Sequence, residues 1–91
     1  MADVIQFDQI RRARRLFGIL LNRMGLDSFL QGGDEPRIDP ARFEETLSLC
    51  CDWIERRTGN SVENATRNVI QRQIRRELIQ HIAEGMVRAG F

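Results

Sequence analysis

The sequence predicts an all-α fold: one domain spanning residues 1–91, built of three helices, with a long loop between helices 1 and 2 and a long third helix that is either straight or kinked. Three observations support this prediction. The chain has 91 residues, which suffices for one hydrophobic core. Its apolar residues recur every three or four positions, as on one face of a helix, and no stretch alternates like a strand. No proline follows Pro40, so long helices are permitted in the second half of the chain.

Helix 1 is predicted over about residues 4–24. Asp3 and Gln6 have the spacing of a capping box, and Gly25 is placed to end the helix in a left-handed turn. Ile19 lies about 140° from the centre of the apolar stripe, among polar residues. The residues expected to face the core are Ile10, Ala13, Phe17, Leu20, Leu21 and Met24.

Residues 25–38 are predicted to form the loop between helices 1 and 2. The segment from Gly32 to Pro36 has the Gly, Asp and Pro composition of turns. Phe29 and Leu30 are expected to form one helical turn that packs on the core. At about fourteen residues, the loop is longer than most connections between helices.

Helix 2 is predicted over about residues 40–58, and Gly59 is placed to end it. Asp39 is a favoured N-cap residue, and Pro40 is favoured at the first helical position. Leu49 and Trp53 lie beside the core stripe, where they either widen the core or remain exposed. The residues expected to form that stripe are Phe43, Leu47, Cys50 and Ile54.

Helix 3 is predicted over about residues 61–89, with Asn60 opening a capping box. From Ile70 to Met86 its apolar residues advance in steps of four, and each step turns the stripe by about 40°. A straight helix that packs along a single neighbouring helix cannot bury an apolar stripe that rotates in this way. Helix 3 therefore crosses its neighbours steeply, kinks near residues 71–73, or uses its second half for a different surface.

The composition excludes several classes of protein. All fourteen basic residues are arginines, and thirteen acidic residues bring the formal net charge to +1, so the chain is neither a polycation nor an acidic mimic of nucleic acid. The start, Met1 to Val4, lacks the pattern of a signal peptide, and no stretch reaches the length of a membrane span. Cys50 and Cys51 are adjacent and cannot form a disulfide within a regular helix. We expect a cytoplasmic protein with reduced thiols and no membrane contact.

No residues have the pattern of a catalytic or metal site. His81 is the only histidine, and Glu77, four residues before it, is its expected partner. The two cysteines and one histidine are too few for a closed zinc site within one chain. Gly32 and Gly33 follow no predicted strand and lack the ending of a phosphate-binding loop. The sequence therefore predicts no enzymatic activity, catalytic residue, metal or cofactor.

The remaining features favour binding to another protein. More apolar residues are present than one small core is expected to bury, and large exposed apolar patches mark protein interfaces. Tryptophan and arginine are the typical anchors of such interfaces. The residues predicted to contact a partner are Arg11, Arg12, Arg15, Ile19, Leu49, Trp53, Met86 and Phe91.

Nucleic-acid binding is the alternative, because clustered arginines can contact phosphates. The residues that would do so are Arg11, Arg12, Arg14, Arg15, Arg72, Arg75 and Arg76. The same arginines can also form a solvated face or pair with acidic residues within the fold. A net charge of +1 is low for a nucleic-acid-binding protein.

In its size, helical pattern, arginine content and lack of catalytic motifs, the chain resembles the small all-helical antiactivator proteins of bacterial mobile elements. The resemblance is one of general type over the whole chain, with no shared motif. It implies that this protein binds a transcriptional activator, such as a quorum-sensing regulator, and blocks the activator without itself contacting DNA.

Overall fold

The computed structural model describes residues 5–31 and 37–88, with side chains as far as residue 85. The three long elements are α1 (Phe7–Met24), α2 (Pro40–Thr58) and α3 (Asn64–Arg88), so the predicted three-helix fold is confirmed. The N–H of Gln6 donates to the hydroxyl of Thr66, and Arg14 donates to Glu77 further along both helices. Consequently α1 and α3 run in the same direction. Arg12 lies near Thr58 and Phe17 packs on Phe43, so α2 runs opposite to α1.

The helical turn predicted at Phe29 is present and buries that side chain in the core, but Leu30 belongs to a small hairpin that the sequence did not predict. After a 3-10 helix, Leu26–Phe29, strand β1 (Leu30–Gln31) pairs antiparallel with β2 (Arg37–Ile38). The N–H of Asp39 also donates to the carbonyl of Phe29 at 2.7 Å. Strands of two residues are too short to show alternation, so no periodicity could reveal them. The turn predicted over residues 32–36 lies outside the described residues.

Local capping residues fix both ends of α2, as predicted. The carboxylate of Asp39 accepts hydrogen bonds from the N–H groups of Ala41 and Arg42, at 3.0 and 3.3 Å. Gly59 ends the helix with φ of 73°, a left-handed conformation that costs glycine no strain.

Replacing Asp39 with alanine is expected to lower the free energy of unfolding by about 1 kcal/mol, because two N–H groups of the first turn lose their acceptor. Asp39→Asn is the matched control, since its side-chain oxygen keeps the cap. Urea unfolding followed by circular dichroism measures both variants. Equal losses of stability in Asp39→Ala and Asp39→Asn would show that the capping hydrogen bonds do not stabilise α2.

The core is centred on three phenylalanines from three elements. The ring of Phe17 lies 5.3 Å from that of Phe29 and 5.7 Å from that of Phe43, centroid to centroid. All four predicted core residues of α2 are buried. Met24, predicted to be core, is exposed, because Phe29 of the 3-10 helix fills the core near the end of α1. The buried apolar cluster comprises Ile10, Ala13, Phe17, Phe29, Phe43, Leu47, Cys50, Ile54, Ile70, Ile74 and Leu78.

Two helix starts differ from the prediction. The first helical residue of α1 is Phe7, not residue 4, and the predicted cap Asp3 lies outside the described residues. The first residue of α3 is Asn64, three residues later than predicted. The carboxylate of Glu55 accepts the N–H of Val62 at 3.3 Å, which holds this connection in a non-helical turn in place of the predicted cap at Asn60.

Helix α3 is uninterrupted through residues 71–73. Its stripe stays buried over Ile70, Ile74 and Leu78, despite the rotation. Beyond that point Ile79 is exposed and, with Ile82, lines a shallow cavity of about 390 Å³ beside the hairpin. The second half of α3 thus serves a different surface, which was one of the three alternatives.

Candidate functional site

An apolar groove lies between α1 and α2. Arg14 of α1 and Ser48 of α2 both contact α3, through Glu77 and Arg67. Ile19 and Trp53 follow those two residues by five positions, about 140° further round each helix, so both lie on the side of the bundle away from α3. We call this cavity of about 370 Å³ the α1–α2 groove; it is lined by Leu16, Ile19, Leu20, Leu49, Cys50, Asp52, Trp53 and Arg56.

Three large apolar side chains of the groove are exposed to solvent. The exposed fractions are 46% for Ile19, 58% for Leu49 and 44% for Trp53. Leu16 and Leu20 are half-buried at its base. The structure therefore brings together the three apolar residues of helices 1 and 2 that the sequence singled out, and none of the three is enclosed in the core.

The helical period explains why these side chains remain outside the core. Leu49 and Trp53 each precede a core residue of α2, Cys50 or Ile54, by one position. Adjacent residues of a helix point about 100° apart, so neither side chain can reach the space that its neighbour fills. Phe17 and Phe43 already occupy the interior between the two helices.

The α1 edge of the groove is basic. Arg15 and Arg23 lie four residues before and after Ile19, and Arg12 lies four before Leu16, so all three share this side of α1. All three are exposed. Arg11, which was also predicted to contact a partner, lies about 80° round the helix from Ile19.

The α2 edge of the groove carries both signs of charge. Asp52 and Arg56 line it, and Glu45 lies four residues before Leu49 on the same face. The guanidinium carbon of Arg57 is 5.8 Å from the ring centroid of Trp53, within the range of a cation–π contact. That contact holds one face of the indole beside a cation.

The seven arginines of the nucleic-acid alternative are distributed over several faces. Arg14 bonds to Glu77 and holds α1 against α3. Arg12 lines a polar cavity of about 530 Å³ with Asn60, at the end of the bundle where α1 begins. Arg75 lines the cavity beside the hairpin, with Ile79. All seven are exposed, Arg14 included, although Arg14 is paired with Glu77.

The predicted partner of His81 was wrong. Glu77 bonds to Arg14, and the carboxylate nearest to His81 is that of Glu84, with Nδ1 and Oε2 separated by 3.9 Å. In the described ranges, no three His, Cys, Asp or Glu side chains come close enough to hold a metal ion. Among the described helices, none is long and apolar enough to cross a lipid bilayer.

Both cysteines are buried and free. Burial, and secondarily the neighbouring Cys51, raises the pKa of the Cys50 thiol to about 12. Burial also raises the pKa of Cys51, although the nearby Arg67 opposes that effect. Protonated buried thiols are poor nucleophiles, so Cys50 contributes an apolar surface to the base of the groove.

Five residues that line the groove, and Arg23 beside it, were not predicted as binding residues. Leu20 and Cys50 were assigned to core stripes, and no pattern in the sequence assigned Leu16, Asp52 or Arg56 to an interface. Except for Leu20, which directly follows Ile19, each lies three or four positions from Ile19, Leu49 or Trp53. That spacing was the available signal, but the sequence does not show which faces of α1 and α2 meet.

Two predicted contact residues are not described in full. Met86 belongs to α3, but its side chain, like the whole of Phe91, lies outside the described residues.

Models of known protein families, curated proteins and solved structures gave no match to this chain.

Proposed function

We propose that this chain is a small regulatory protein, without enzymatic activity, that binds an α-helix of another protein in the α1–α2 groove. The observation that carries the proposal is the exposure of Ile19, Leu49 and Trp53 on one groove. Exposed apolar side chains in a concave surface favour burial against a partner. An amphipathic helix laid in a groove is a common form of peptide recognition.

The partner class that we propose is a bacterial transcriptional activator, kept inactive by this protein in the cytoplasm. The support for this class is the resemblance in size, helical pattern and arginine content to antiactivator proteins. A helix of the activator that is needed for its dimerisation or DNA contact would be sequestered in the groove. The groove supports binding to a protein, and the resemblance alone supports the identity of the target.

The test is site-specific photocrosslinking in a lysate of the cell that encodes the protein. A photoreactive amino acid at Leu49 is expected to crosslink one partner, whereas the same group at Arg76, an exposed site on α3, is expected to give none. Crosslinking from Arg76 alone would overturn the groove as the binding site. Binding of the purified protein to duplex DNA at low salt, with a steep loss as salt rises, would favour the nucleic-acid alternative.

Replacing Trp53 with alanine is expected to weaken capture of the partner by at least thirtyfold, the usual effect of an interface hot spot. The fold should survive, because the side chain is 44% exposed in the free protein. Affinity is measured by titration, and circular dichroism checks the fold. Phe7→Ala is the control, since it removes an exposed aromatic residue near the start of the same bundle; equal losses in both variants would contradict a specific role of Trp53.

A further inference from the structure

We infer that the α1–α2 groove selects a partner helix whose apolar stripe is bordered by acidic residues on the edge that faces α1. This inference rests on the proposed function and specifies the chemistry of the partner. It follows from the difference in charge between the two edges of the groove.

The α1 edge presents cations along its length. Arg12, Arg15 and Arg23 are exposed on the side of α1 that carries Leu16 and Ile19. From Arg12 to Arg23 they span about three turns of helix, roughly 16 Å. A helix of the partner lying along the groove would pass all three arginines, and carboxylates three or four residues apart on its near edge would match their spacing.

The α2 edge does not impose the same preference. Glu45 and Asp52 lie on it together with Arg56 and Arg57, so acidic and basic groups oppose each other within this edge. A partner with acidic residues on both edges would meet Glu45 and Asp52, and like charges facing each other reduce affinity. The preferred helix is therefore acidic along one edge, which also fixes its orientation in the groove.

The apolar lining and the charged rim have separable roles. Any helix with an apolar stripe can bury Ile19, Leu49 and Trp53, whatever the charge of that helix. Guanidinium groups bind carboxylates in a bidentate geometry, so the rim discriminates between partners of opposite charge. Because the arginines are exposed, this discrimination should weaken as salt rises.

Trp53 provides the measurement. It is the only tryptophan, and the chain has no tyrosine, so intrinsic emission on selective excitation reports on the groove alone. The probes are two synthetic amphipathic helical peptides with the same leucine stripe and no aromatic residue. One carries glutamates along one edge of the stripe, and the other carries lysines at the same positions.

The acidic peptide is expected to bind at least tenfold more tightly than the basic peptide at low salt, with the ratio falling as salt is added. The triple variant Arg12→Glu, Arg15→Glu, Arg23→Glu should reverse the preference. Arg76→Glu is the matched control, because it changes one exposed arginine on α3 and should leave the preference intact. Circular dichroism confirms that each variant is folded.

The outcomes separate this inference from the proposed function. Equal binding of both peptides would overturn the charge preference and leave binding in the groove standing. No change in Trp53 emission with either peptide up to millimolar concentration would overturn the proposed function and the inference with it. Concentration-dependent self-association of the protein that quenches or shifts the same emission, and excludes both peptides, would assign the groove to a second copy and overturn both.

Discussion

Replacing Phe17 with alanine should lower the free energy of unfolding by about 3–5 kcal/mol. The side chain is 2% exposed and contacts Phe29 and Phe43, so one truncation opens a cavity shared by α1, the 3-10 helix and α2. A domain of this length has a total stability of roughly 5–14 kcal/mol. The variant should therefore lose between about a fifth and all of its stability. Urea unfolding followed by circular dichroism measures the loss.

Phe7→Ala is the matched control for Phe17→Ala. It removes the same side chain from the same helix, but Phe7 is 74% exposed at the start of α1. A surface change of this kind should alter the stability by less than about 0.5 kcal/mol. Similar losses in the two variants would contradict the placement of Phe17 at the centre of the core.

The sequence predicted α2 more accurately than the other helices because the signals at its ends are local. Asp39, Pro40 and Gly59 act within one turn of the backbone, and each occupies its predicted position. The start of α3 was missed for the opposite reason. It depends on a hydrogen bond from Val62 to Glu55 in the preceding helix, which no local rule anticipates.

Three apolar residues of the candidate site could be predicted from the sequence, but the shape of the groove could not. The 3.6-residue period placed Ile19 on a polar face and left Leu49 and Trp53 either widening the core or exposed; all three are exposed. Whether they would meet depended on the relative register and rotation of α1 and α2. The same limit applies to the pairing of Arg14 with Glu77, because it joins two helices separated by most of the chain.

The alkaline stability of this protein should be governed by Cys50 and Cys51. The chain contains no lysine and no tyrosine, and arginine stays protonated above pH 12, so the two thiols are the side chains that titrate between pH 9 and 12. In the unfolded chain a thiol ionises near pH 9, whereas burial raises the pKa of Cys50 to about 12 in the folded protein. Burial raises the pKa of Cys51 as well.

The sign of the effect follows from proton binding. Below pH 9 the Cys50 thiol is protonated in both the folded and the unfolded protein, so this thiol does not make the free energy of unfolding depend on pH. Between pH 9 and 12 the unfolded chain releases the proton that the folded protein keeps, so the free energy of unfolding falls by about 1.4 kcal/mol per pH unit for this thiol. Cys51 should add to the decline, because its pKa is also raised.

Urea unfolding at a series of alkaline pH values, with a phosphine reductant to keep the thiols reduced, should therefore show a steep decline for the natural protein. The double variant Cys50→Ala, Cys51→Ala should show an almost flat dependence over the same range, and each single variant an intermediate slope. Both cysteines are buried, so the double variant starts from a lower stability at neutral pH, and the slopes are the quantities to compare. A double variant that loses stability as steeply as the natural protein would show that the buried thiols do not control alkaline unfolding.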